Sequence, residues 1–138
     1  MNNIIENKTY DEINVGDTAH IQHSLTKRDI VLFAIMSGDV NPAHLDEEYA
    51  ESSFFHHIVA HGMWGASLIS TVLGTELPGP GTIYVNQSLN FLRPILVGDM
   101  ITAQVTVTEK RPEKHHVILE CGCFNQDQKQ VISGFGED

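Results

Sequence analysis

One stretch of this chain restricts its fold more than any other. From His61 to Leu73 the residues after the histidine read Gly-Met-Trp-Gly-Ala-Ser-Leu-Ile-Ser-Thr-Val-Leu, apolar on most sides of a helix. A helix apolar nearly all round has no face to give to water and has to be enclosed. The C-terminal half of the chain can enclose it. Thr82–Phe91, Met100–Lys110, His115–Asn125 and Gln130–Phe135 are rich in strand-forming residues and are separated by turn signals. Ile101, Ala103, Val105 and Val107 alternate with Thr102, Gln104, Thr106 and Thr108, the period of a sheet with one buried face. An earlier strand is expected over Ala19–Ser24. The pattern predicts an α+β architecture, an antiparallel sheet wrapped around one long central helix.

The remaining segments fit around that unit. Thr26 followed by Asp29 reads as a capping box with Asp in place of Glu, opening a helix over Ile30–Met36. Ser37-Gly38-Asp39-Val40-Asn41-Pro42 breaks it, because Gly and Asn-Pro favour turns. Asp46–Glu51 reads as a short acidic helix, Gly74 as a C-cap, and Leu77–Gly81 as a loop. With no repeat and no Gly/Ser linker, residues 1–138 are expected to form one domain.

Composition narrows the classes of function. A formal net charge of −10 argues against nucleic acid and anionic membranes as partners, though not against a small anionic ligand. Met1–Lys8 lacks the apolar core of a secretory leader, and no run approaches the ~18 apolar residues of a membrane span. A cytoplasmic protein is therefore expected. Cys121 and Cys123, two apart in a strand, would lie roughly 6.5 Å from one another, too far for an unstrained disulfide, and read as packed thiols.

Two features carry chemistry. In Asp39-Val40-Asn41-Pro42-Ala43-His44 the Asn-Pro turn can bring a carboxylate and an imidazole to one point. Converging on one water, they form a competent acid–base pair. Taken alone, the spacing also suits a turn aspartate and a structural histidine. The second feature is Ala60-His61-Gly62-Met63 at the start of the buried helix. The first N–H groups of a helix lack intrahelical partners, and Gly62 lets a ligand oxygen approach them. Close helix–sheet packing would demand the same glycine.

Together these segments resemble the MaoC-like hydratase family. Ser37-Gly38-Asp39-Val40-Asn41-Pro42-Ala43-His44, with Ala50 six residues on, is similar to its hydratase-2 motif. Ala60–Met63, Leu77–Tyr84, Phe91–Pro94 and Val97–Asp99 resemble further family segments in the same order. The resemblance implies a homodimeric hot-dog fold that reversibly hydrates trans-2-enoyl-CoA to (R)-3-hydroxyacyl-CoA, with neither cofactor nor metal. It implies that Asp39 and His44 are the catalytic pair, one taking a proton from water and the other delivering one to C2. Gly62 is then the oxyanion donor, Asn41 shapes the loop, and Ser70 lies near the pair. Met36 stands where the motif has a smaller aliphatic residue, a conservative packing swap.

Tyr84 and Arg93 complete the expected substrate contacts. Arg93, with Lys110, Arg111 and Lys114, offers cations to a phosphate-bearing ligand, while sheet packing is the plainer role for Tyr84. His56, His57 and His61 invite a metal, since His57 and His61 are four apart, but no His-Glu-x-x-His pattern accompanies them. Trp64, Phe54 and Phe55 are expected in the core or in a tunnel wall. The same fold also serves thioesterases, carrier-protein dehydratases and acyl-CoA-binding modules, and the chain reads equally as a free subunit or as the hydratase domain of a longer fusion.

Overall fold

The computed structural model describes residues 8–52 and 57–138; Phe54, Phe55 and His56 lie outside the described residues. In chain order the elements are β1 (Thr18–Ser24), α1 (Lys27–Ser37), α2 (Pro42–Leu45), α3 (Glu47–Ser52), α4 (Gly62–Thr75), β2 (Asn86–Phe91), β3 (Met100–Arg111), β4 (His116–Phe124) and β5 (Gln130–Glu137). The strands form one antiparallel sheet in the order β1-β3-β4-β5-β2. Among the described residues, no helix is long and apolar enough to cross a membrane.

The α+β architecture is the one expected, with α4 as the enclosed helix. Its Trp64, Leu68, Ile69, Val72 and Leu73 join Ile101, Ala103, Val105 and Val107 of β3 and Leu119 of β4 in the core. Ile69 and Val72 are fully buried, as are Ile101, Ala103 and Val105 on the facing strand. Burying each large aliphatic side chain contributes roughly 1.5–3 kcal/mol, which is why this helix is so apolar. Cys121 and Cys123 are free thiols on the same buried face of β4. Burial pushes their thiols up to about 11 and about 12 respectively, so neither is a ready nucleophile.

Local signals and structure part company at three places. α4 does not stop at Gly74 but runs on to Thr75. The left-handed residue that finishes this turn is Gly79 (φ 98), whose N–H bonds the Leu73 carbonyl. Residues 82–85 are not part of β2, because the first ladder pair is Asn86 with Glu137, the last residue of β5; only the Val85 N–H reaches the Glu137 carbonyl. Met36 is 76% exposed, so its departure from the motif is not an exchange within this chain's core.

Candidate active site

Asp39 owes its position to the end of α1. Gly38 takes the left-handed conformation (φ 81) that other residues disfavour, and its N–H caps the Ala34 carbonyl. The chain then turns on local bonds: the Asp39 N–H donates to Ser37 Oγ (3.1 Å), and the Asn41 N–H donates to Asp39 Oδ1 (3.2 Å). Asn41 caps α2 by accepting the Ala43 N–H at 2.9 Å, with Pro42 in the first turn. The Asn-Pro pair thus starts a one-turn helix, and that helix brings His44 back toward Asp39.

His44 is half-buried, and its Nδ1 lies 2.7 Å from the Val59 carbonyl oxygen. A carbonyl only accepts, so Nδ1 carries the proton and Nε2 keeps its lone pair. Val59 is fixed in turn by its bridge to Leu96. Asp39, His44 and His61 present side-chain atoms within 4.8 Å of one another.

His61, the N-cap residue of α4, is only 3% exposed. Its ring stacks on His44 with centroids 3.9 Å apart and planes 25° apart, and it meets Phe33 at 4.9 Å. Its Nε2 donates to the backbone carbonyl of Asp39 at 2.9 Å, while Nδ1 has no partner among the described residues. Leaving such a nitrogen unpaired costs about 1–3 kcal/mol. The three side chains resemble a metal-ligand set, but one nitrogen of each ring is engaged by a backbone carbonyl, His44 Nδ1 by Val59 and His61 Nε2 by Asp39. His57, four residues from His61, stands on no helix with it.

Gly62 opens α4, and its N–H has no intrahelical acceptor. A Cβ there would lie 3.1 Å from the Phe91 ring, so the glycine does serve packing as well. A cavity of about 280 Å³ runs beside it, walled by Ala60, Phe91, Arg93, Ile95 and Ile132. Arg93 is held there by a 2.7 Å bond from Nη1 to the Gln130 carbonyl.

The structure therefore gathers Asp39, Asn41, His44 and Gly62 at one end of α4, with Arg93 on the adjoining cavity. It does not bring Tyr84 there. Burial beside Cys121 and Asp138 pushes the Tyr84 hydroxyl above its ordinary value. Ser70 is exposed on α4, eight residues and about 12 Å of helix axis from Gly62. His61, the residue stacked on the pair, entered the sequence reading only as a helix flank and a metal candidate. Its place immediately before Gly62 was the available signal.

Residues 12–121 match the family described as MaoC like domain. Over 125 residues the chain is 49% identical to an (R)-specific enoyl-CoA hydratase of Rhodospirillum rubrum, covering 91% of this chain and 86% of that protein. It is 39% identical over 122 residues to the (R)-specific enoyl-CoA hydratase of Aeromonas caviae, covering 88% and 91%. The unliganded R-hydratase structure from Pseudomonas aeruginosa superposes with a TM-score of 0.90 at 45% identity, covering 95% of this chain and 84% of that one.

Proposed function

Since the chain belongs to the MaoC-like family, with the hot-dog fold of its R-hydratase relatives, we propose that it is an (R)-specific enoyl-CoA hydratase. The reaction is the reversible syn addition of water to a trans-2-enoyl-CoA, giving (R)-3-hydroxyacyl-CoA. The observation that carries this reading is the His44 ring, anchored through Nδ1 to the Val59 carbonyl and set within 4.8 Å of the Asp39 carboxylate.

Both groups are then hydrogen-bond acceptors, suited to the two hydrogens of one water. As the water oxygen bonds to C3, the C2–C3 π electrons move toward the thioester carbonyl, and His44 Nε2 takes the departing proton. The Gly62 N–H, at the positive end of α4, receives the enolate oxygen. The enolate collapses by taking that proton at C2, which returns His44 to its starting state. With both groups accepting, one proton travels through His44 from water to C2, and the pair needs no separate base and acid. Asp39 orients the water and stabilises the transient imidazolium. Arg93 faces the cavity where a phosphate-bearing coenzyme would enter. Asn41 shapes the loop through its cap. No cofactor takes part in this scheme.

We place the enzyme in fatty acid metabolism in the cytoplasm, as a homodimer. Support for the dimer comes from α1, where Val31, Leu32, Ile35 and Met36 are between 47% and 76% exposed. β2, at an edge of the sheet, adds Phe91 and the adjacent Leu92 at 53% and 50%. The net charge of −10 favours a coenzyme A thioester over an acidic carrier protein, which it would repel.

The test is to follow the enoyl-thioester absorbance of crotonyl-CoA with purified protein, then offer the product to an (R)-specific 3-hydroxyacyl-CoA dehydrogenase. The expected product is (R)-3-hydroxybutyryl-CoA. Release of free thiol instead would replace the reading with a thioesterase, and turnover of carrier-bound substrate alone would replace it with a carrier-protein dehydratase.

A further inference from the structure

We infer that His61 is a positioning residue for the hydration, holding Asp39 in register with His44 through the bond from its Nε2 to the Asp39 carbonyl. The inference rests on the hydratase reading of the Asp39–His44 pair.

The bonds around Asp39 divide into two kinds. Those to Ser37 Oγ and from the Asn41 N–H join residues two apart in sequence and shape the turn. They do nothing to fix where that turn sits relative to α4. Among the described residues, the bond from His61, 22 positions away, ties the turn to the helix that carries Gly62. His44 is anchored separately, by the Val59 carbonyl 15 positions away. The two halves of the pair are thus hung from neighbouring residues of one short segment, Asp39 from His61 and His44 from Val59. The stacked rings of His44 and His61, 3.9 Å apart, close the arrangement.

A filler residue would not need this chemistry. Phenylalanine, somewhat larger, would keep an aromatic ring to stack on His44 and meet Phe33, and it would leave no buried nitrogen unpaired. The chain instead keeps a histidine whose Nδ1 is buried without a partner among the described residues. Asp39 is exposed as a residue and its turn keeps its own local bonds once the histidine is gone. Losing the bond therefore frees the carboxylate to wander without unfolding anything. Displacements of about 1 Å in a reacting group cost up to about 100-fold in rate.

Two variants separate hydrogen bond from volume. His61→Phe keeps the ring and loses the donor. His61→Gln loses the ring and keeps an amide donor able to reach the Asp39 carbonyl. With crotonyl-CoA, His61→Phe is expected to lower kcat at least about tenfold, with KM and the thermal midpoint near those of the unaltered protein. His61→Gln is expected to stay within about tenfold. A smaller loss in the Phe variant, or a larger one in the Gln variant, overturns the proposal. Amide hydrogen exchange at Asp39 and Asn41 reads the same bond without turnover: it should quicken in the Phe variant and not in the Gln variant, and unchanged exchange in the Phe variant also overturns it. Unaltered protein that hydrates no enoyl-CoA would instead refute the hydratase reading, leaving the exchange experiment to judge the bond.

Discussion

Asp138 carries a carboxyl group whose two oxygens are buried without partners among the described residues. Burial pushes it from its ordinary 3.8 up to about 6, against an opposing pull from His116. Because its folded value is raised, the stability tied to the protonated form is fully present below about 3.8 and is lost as pH rises through about 6. Asp138→Asn cannot ionise, so its thermal midpoint should gain on the unaltered protein's between pH 4 and pH 7. A constant difference across that range would refute this. At the proposed catalytic pair, His44→Ala removes the proton acceptor and Asp39→Asn removes the charge that orients the water and stabilises the imidazolium. Each should lower turnover at least about 100-fold with an unchanged circular dichroism spectrum, and full activity in either variant would remove that residue from the mechanism. Sequence could place Asp39 and His44 on either side of a turn because Asn-Pro announces one, while their pairing as catalysts rests on the family resemblance. It could not name the protonated nitrogen of His44, since the carbonyl that decides it belongs to Val59, brought close only by the fold.

Elements were legible where their signals are local. Thr26 and Asp29 make both bonds of the capping box, and α1 begins at the next residue. β3 keeps its alternation, with Ile101, Ala103, Val105 and Val107 buried. Boundaries failed where a distant partner decides them: residues 82–85 have the composition of a strand, yet the ladder with β5 begins only at Asn86. α2 was hidden for another reason, being one turn whose stability comes from its Asn41 cap and Pro42 rather than from any apolar period. β5 and β2 also pack backbone to backbone more closely than composition reveals. At Gly134 a Cβ would collide with the Ser88 carbonyl. Gly134→Ala should cost about 1–3 kcal/mol, read as a lower denaturant midpoint; an unchanged midpoint would mean that β2 moves aside freely.

The molecule as a whole divides its labour along α4. The body of the helix supplies the core, and its first turn faces the Asp39–His44 pair, so the proposed chemistry sits where burial ends. The exposed apolar residues of α1 and the edge strand β2 are on the outside of this arrangement. Light scattering should therefore give twice the mass of the 138-residue chain, 15.3 kDa. An active species of single mass would contradict the dimer.

The bond between the His44 ring and the Val59 carbonyl also bears on timing. An imidazole gripped at one nitrogen does not turn over between receiving a hydrogen and handing it on. In heavy water, the deuterium entering at C2 should therefore lie on the side from which the oxygen came, in every turnover. Product handedness would then be a record of how long one ring stays still, and loosening that grip should blur the label before it stops the reaction.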